Sequence, residues 1–170
     1  PTRYDLPVGG RLRHWACQVA ASFRAPSVRD DYELIGGGSP LTRLTHEQAE
    51  SLQRHLNDQF GAPTGIDFRT YVAMRYWHPF SEEAAAQMEA DDVDRVVLLP
   101  LHPQYSKTTT GSSLARWKAL EETGEMPSWP TTTVHEYAAN PKFVRALSER
   151  IDEGLQRFPR ERRDEVQLLF

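Results

Sequence analysis

The sequence predicts an α/β chain: a parallel sheet flanked by helices in the Rossmann-like manner. Two observations carry this. Short apolar or alternating runs of strand length recur along the 170 residues, at Phe68 to Met74, Val96 to Leu99, Thr131 to His135 and Val166 to Phe170. Between them lie stretches whose apolar residues repeat at spacings of three and four, the mark of amphipathic helices. Strands joined by helices of that length imply a parallel sheet with right-handed crossovers.

The first helix is marked by Leu12, Trp15, Ala16, Val19, Ala20 and Phe23, a stripe edged by Arg11, Arg13 and Arg24. Such a stripe faces a core, a membrane surface or the lip of an apolar pocket. A short helix is expected from Val28 to Ile35. The run Gly36-Gly37-Gly38 that follows it reads as a glycine C-cap and tight turn, because a dinucleotide fingerprint follows a strand and opens a helix. Thr45 with Gln48 makes a capping box for a helix carrying Ala49, Leu52, Leu56 and Phe60, broken by Gly61 to Gly65. Phe68 to Met74 alternates as a strand that ends in Arg75-Tyr76-Trp77-His78-Pro79, which sets a cation and two aromatics at a strand's carboxyl end. Ser81 is expected to cap the next helix, with Glu82 and Glu83 in its first turn where acidic side chains suit the helix dipole.

Val96 to Leu99 reads as a central strand covered on both faces, since its apolar run is unbroken. Pro100 and Pro103 stop ladder pairing, and a polar loop follows before Leu114 to Leu120 resumes helical spacing. In an open parallel sheet the loop leaving a strand's carboxyl end faces the ligand crevice, so Gln104, Tyr105, Ser106 and Thr108 to Ser113 are candidate functional residues. Thr131 to His135 is the next strand. Asn140 and Pro141 open a helix along Phe143, Leu147, Ile151 and Leu155, and Val166 starts the last strand.

With 24 acidic against 20 basic residues and a net charge of −4, the chain is not expected to bind nucleic acid through its overall field. The single cysteine, Cys17, excludes an internal disulfide framework and fits a reducing compartment. No apolar run approaches the length of a membrane span and no secretory segment is apparent, so the expected location is cytoplasmic. The absence of an initiating Met and the apolar run at the carboxyl end lead us to expect a piece of a longer protein. His46-Glu47 and His135-Glu136 lack the second histidine of a metalloprotease helix. His78 and His102 both follow expected strand ends, but a metal site between them lacks a further ligand.

Several segments together resemble ferrochelatase in order and spacing. They are Tyr32 with Ile35-Gly36-Gly37-Gly38-Ser39-Pro40-Leu41, then Arg75-Tyr76-Trp77-His78-Pro79, then Pro103-Gln104-Tyr105-Ser106 with Thr109-Thr110-Gly111-Ser112-Ser113. Asn140-Pro141-Lys142-Phe143-Val144 and Leu168-Leu169-Phe170 fit as well. The resemblance covers essentially the whole chain, and the chain covers about half of such an enzyme.

The resemblance implies a chelatase-like fold of two similar domains, residues 1–137 forming the first without its first strand and 138–170 beginning the second. It implies insertion of ferrous iron, a substrate, into protoporphyrin or coproporphyrin, with the macrocycle in the cleft between domains. Arg24, Tyr32, Ser39 and Tyr137 match porphyrin-contacting positions, and Arg75 with Tyr76 matches the pair lining the cleft, beside the loop Gln104, Tyr105 and Ser106. The catalytic base would lie in a Ser-Ala-His motif just beyond Phe170, leaving no catalytic residue and no resident metal or other cofactor in this chain. Lys107 stands where animal enzymes carry a cysteine of an iron–sulfur cluster, so a cluster of that type is not supported. Peripheral membrane contact would run through Leu12, Trp15, Val19 and Phe23; the resemblance leaves the oligomeric state open. Two other readings remain at this stage: a porphyrin or haem binding module without chelatase chemistry, and a chelatase for another metal or tetrapyrrole.

Overall fold

The computed structural model describes residues 10–34 and 36–169, without the side chains of residues 10–17, 20, 21 and 23. Two compact units are present, Pro1–Asp92 and Val93–Phe170.

The first unit opens with α1, Gly10–Glu33, a single helix that runs through Pro26. The separate helix expected from Val28 is therefore the second half of α1. Proline removes one intrahelical bond, and the strong helix formers on either side, Ala25 and Arg24 before it and Arg29 after it, carry the helix past the gap. The stripe residues Leu12, Trp15 and Phe23 lie outside the described side chains, whereas Val19 is half-buried and Arg24 exposed. Gly36 and Gly37 take φ values of 103° and 88°, and their N–H groups donate to Glu33 O and Tyr32 O at 3.2 and 2.8 Å. This bond pair is a Schellman motif, whose left-handed residue admits glycine without steric cost.

Helix α2, Leu41–Leu56, starts a full turn before the expected capping box. Ser39 Oγ accepts from Leu41 N at 3.3 Å, so the turn is already begun at Pro40 and Thr45 lies in the helix interior. The helix widens into a π turn, Asn57–Gly61, then continues as α3, Ala62–Thr64, and ends at Gly65 with φ 69°.

Phe68 to Met74, expected as a strand, has no ladder partner beyond a single parallel bridge from Met74 to Phe80. Side chains of α2 and the π turn satisfy its backbone instead. Asn57 Nδ2 donates to Phe68 O at 2.7 Å while Asn57 Oδ1 accepts from Phe68 N at 2.9 Å. Gln53 Oε1 accepts from Thr70 N at 2.8 Å, and Thr70 Oγ1 donates to Ala49 O at 2.9 Å. Four residues of helix rise about 6 Å and two residues of extended chain about 6.6 Å, so amides one helical turn apart meet alternate residues of the segment. The docking favours one of the two side-chain faces: Phe68, Thr70, Val72 and Met74 are half-buried and Arg69 and Ala73 exposed, while Tyr71 on the second face is also half-buried.

Helix α4, Ser81–Ala90, follows with Ala84, Ala85 and Met88 buried. Ser81 is its first helical residue and is itself buried at 7% exposure. The cap comes from Glu83, whose carboxylate reaches back to the Phe80 N–H.

The second unit contains β1, Val96–Leu98, and β2, Thr131–Thr133, paired parallel with Val96 opposite Thr131 and Leu98 opposite Thr133. The expected parallel pairing is present. The expectation that β1 is covered on both faces is corrected: Val96 is buried, but Val97 on the other face is 65% exposed. Among the described residues β2 is the only strand beside β1. Between them α5, Thr110–Thr123, buries Trp117 and Leu120, with Trp117 against Trp129 at 6.2 Å between ring centroids. Gly124 ends α5 at φ 72°. Helix α6, Pro141–Leu155, is capped by Asn140, whose side chain accepts from Lys142 N at 2.9 Å, and Pro141 fills the first position. None of its residues is buried. A 3-10 turn, Arg160–Glu165, precedes Val166 to Leu169, which are unpaired rather than forming the expected last strand. A strand needs a neighbouring ladder to satisfy its N–H and C=O groups, and none is present beside these residues among those described. Phe170 lies outside the described residues.

Candidate functional site

The clearest cluster in the first unit is the loop Arg75 to Phe80. Its neck is closed by Met74 N donating to Pro79 O at 2.7 Å, so the four residues Arg75 to His78 are gathered into a short excursion on the docked segment. The Arg75 guanidinium carbon lies 5.1 Å from the Tyr76 ring centroid, a cation–π distance. Tyr76 and Trp77 are 59% and 66% exposed, large aromatic faces held out from the unit. The Trp77 ring meets His78 edge-on at 5.8 Å, and His78 packs on Phe80 at 4.4 Å.

Glu83, one turn into α4, ties this loop to the scaffold. Its carboxylate lies 2.9 and 3.0 Å from His78 Nδ1 through its two oxygens and also accepts the Phe80 N–H. These bonds hold its carboxyl below the usual range, the Phe80 N–H more strongly than His78. The docked segment is fastened at the other end of α4 too. Tyr71 Oη donates to Asp91 Oδ2 at 2.6 Å, and Arg69 bridges Asp67 and Asp91, each at 3.0 Å. Asp91 is lowered, chiefly by the Tyr71 hydroxyl, while burial and then Asp91 raise Tyr71.

The other expected site residues of this unit are dispersed. Arg24 and Tyr32 lie exposed on α1, and the Tyr32 carbonyl is used by the Gly37 turn. The Ser39 hydroxyl is engaged by Leu41 N at the start of α2.

In the second unit the loops leaving β1 and β2 are stitched together. Tyr137 N and Ala138 N both donate to Pro103 O, at 2.9 and 3.1 Å, and Tyr137 Oη donates to Leu101 O at 2.9 Å. The Tyr137 ring stands edge-on to Phe143 at 5.3 Å, and burial raises its hydroxyl above the ordinary range. Tyr137 is therefore a clamp between the two loops, with its proton already committed. Gln104 and Tyr105 are exposed at the carboxyl end of β1 and Ser106 is half-buried. The Ser106 carbonyl accepts from Gly111 N at 2.9 Å, and its hydroxyl meets Thr108 Oγ1 at 2.9 Å. Gly111 packs closely under its neighbour: a Cβ there would lie 2.8 Å from the Tyr105 hydroxyl oxygen, which would have to move. Lys107 is exposed beside this turn.

Among the described residues no group of three His, Cys, Asp or Glu side chains is placed to hold a metal ion. No described helix is long and apolar enough to cross a membrane. Two features escaped the sequence reading. One is the Glu83 link to His78, whose signal is an acid three residues past the turn at Pro79 and Phe80. The other is the pair of amides at Gln53 and Asn57, four apart on a helix face.

A family model described as Ferrochelatase matches residues 5–170. The ferrochelatase of Gloeobacter violaceus is 41% identical over 156 residues, covering 89% of this chain and 45% of that protein. That of a Synechococcus strain is 41% identical over 155 residues, covering 91% and 38%. That of Hyphomonas neptunium is 48% identical over 117 residues, covering 68% and 31%. The chain thus spans between about a third and just under half the length of these relatives.

Proposed function

The chain belongs to the ferrochelatase family, and from that premise we propose that it is part of an enzyme that inserts ferrous iron into a porphyrin to form haem. The observation that supports this most directly is the Arg75 to Phe80 loop, a cation and exposed aromatic faces on a short, tied excursion. A flat macrocycle needs aromatic or apolar walls for its faces and cations or donors for its propionates. Arg75 and Tyr76 line the porphyrin cleft in this reading. By the family resemblance Arg24, Tyr32, Ser39 and Tyr137 contact the porphyrin, and Gln104, Tyr105 and Ser106 form a loop of the cleft. Metal insertion must remove two pyrrole protons as the iron–nitrogen bonds form. The base for that step belongs to residues after Phe170, so this chain's residues bind and orient the ring.

The first of two similar domains ends near Tyr137 and the second begins at residue 138. Ferrous iron is substrate, no resident cofactor is required of these residues, and Lys107 gives no support to an animal-type cluster. The enzyme acts in the cytoplasm, with the stripe Leu12, Trp15, Val19 and Phe23 as its peripheral membrane contact.

The test is anaerobic haem formation by the full-length protein from ferrous iron with protoporphyrin or coproporphyrin, followed by absorbance. Arg75→Leu and Tyr76→Phe should lower turnover with the fold intact, and Arg24→Ala should weaken porphyrin binding by about 1 to 3 kcal/mol. Porphyrin binding with no insertion of any metal would replace this reading with a binding module.

A further inference from the structure

We infer that Glu83 and His78 are positioning residues for the reaction, fixing the loop that presents Arg75 and Tyr76 to the porphyrin; the inference rests on the metal-insertion reading. Three constraints meet at one carboxylate. Glu83 stands on the first turn of α4, a helix whose residues Ala84, Ala85 and Met88 are buried, so its backbone is fixed. Its Oε2 takes both the Phe80 N–H and His78 Nδ1 at 2.9 Å, and Oε1 backs the second contact at 3.0 Å. His78 is then held between Phe80 at 4.4 Å and the edge of Trp77 at 5.8 Å. The loop's far side is closed by Met74 N on Pro79 O.

The Glu83 and ring contacts lie on the carboxyl-side limb of the loop, Trp77 to Phe80, the Met74–Pro79 bond joins the two limbs, and Arg75 and Tyr76 sit on the other limb. The carboxylate acts on the tip through His78 and the neck. The Glu83–His78 pair is itself solvent-accessible, with side chains 46% and 61% exposed, so an ion pair there adds little to global stability. Its effect is local, restricting the paths by which the tip can leave its position. A misplacement of about 1 Å in a residue that orients substrate is enough to cost on the order of a hundredfold in rate. Because Glu83 engages Nδ1, the histidine ring is oriented by a carboxylate in the way that metal and triad histidines are.

The experiment uses the full-length protein and compares wild type with Glu83→Ala, Glu83→Gln and His78→Phe in anaerobic iron insertion, with melting midpoints alongside. Oε2 lies within reach of both Phe80 N and His78 Nδ1, so a glutamine oxygen in its place can keep both bonds, and Glu83→Gln should stay within about threefold of wild type in kcat. Glu83→Ala should lose about 10- to 100-fold in kcat while the KM for porphyrin moves less than about threefold. His78→Phe keeps the stack on Phe80 and loses the Nδ1 bond, and should fall with Glu83→Ala; it decides the question if the alanine variant does not fold. A wild-type enzyme that forms no haem overturns the metal-insertion reading. Wild-type turnover with an unaffected kcat in Glu83→Ala or His78→Phe overturns the positioning role alone, as does a loss shared by Glu83→Gln and matched by the fall in melting midpoint.

Discussion

Gly111→Ala is expected to be silent or harmful with Tyr105 present and stabilising without its hydroxyl. Gly111 is the second residue of α5, and its φ is not among the positive values, so alanine fits the backbone. Alanine is favoured over glycine in a helix by up to about 1 kcal/mol. Against this, the new Cβ would stand 2.8 Å from Tyr105 Oη, while Tyr105 Cζ and Ser106 O are each at 3.4 Å. Ordinary contact begins near 3.4 Å, so the hydroxyl must retreat by the difference, 3.4 − 2.8 = 0.6 Å. Tyr105 is 48% exposed, and it can swing outward at the expense of its packing on the helix. Removing the hydroxyl with Tyr105→Phe leaves only contacts of ordinary length, so Gly111→Ala should then gain the full helical preference. The two substitutions should couple by about 1 kcal/mol, or about 2 to 4 °C in melting midpoint for a chain of this size. Thermal melts of wild type, both single variants and the double variant measure it. Additivity within about 0.5 kcal/mol would show that the Tyr105 ring does not rest on Gly111.

Leu120 is fully buried, so Leu120→Ala should destabilise the second unit by about 2 to 5 kcal/mol, read as a fall in denaturation midpoint; a loss under about 1 kcal/mol would mean the site is open in solution. Asp91 and Glu83 both have carboxyls lowered in the fold, so each contributes stability that is present above about pH 4 and lost as pH falls through its lowered folded value. Asp91→Asn should therefore flatten the acid limb of a stability profile, and a limb identical to wild type would show that the Tyr71 bond is not kept in water. Residues 1–170 expressed alone should form haem at less than about a hundredth of the full-length rate, because proton removal contributes about two to four orders of magnitude and its agent is placed beyond Phe170. Faster turnover would move the base into this chain.

What the sequence made legible was the chemistry that acts over a few residues. The Gly36-Gly37 turn was readable because left-handed backbone after a helix selects glycine, and Asn140-Pro141 because a cap and a donor-free first position suit a helix start. The parallel β1–β2 pair followed from the long helical connection between them. The failures came where a distant or competing group decided the outcome. Thr45 and Gln48 satisfy the capping pattern, yet Ser39 had already started the helix. Ser81 is a good cap by type, but Glu83 occupies the Phe80 N–H. Phe68 to Met74 alternates as a strand should, and its backbone partners turned out to be the amides of Gln53 and Asn57. At the candidate site, the residue types in Arg75-Tyr76-Trp77-His78-Pro79 were evident, whereas the carboxylate that orders them lies on the next helix. The exposure of Tyr76 and Trp77 became visible only in the structure.

The docking of the segment depends on the Asn57 side chain being an amide. A primary amide is among the groups that hydrolyse as a protein ages, and loss of ammonia from Asn57 would leave a carboxylate of nearly the same shape. The acceptor facing Phe68 N would survive, but the donor facing Phe68 O would be replaced by a negative oxygen set against a carbonyl. Repulsion would then stand where the bond was, at the first of the two points that fix which face residues 66–73 present. The helices would keep their shape, and an ageing sample would look folded by its helical signal. What would loosen is one fastening of the strap that carries Arg75 and Tyr76, at a nitrogen atom eighteen residues before Arg75.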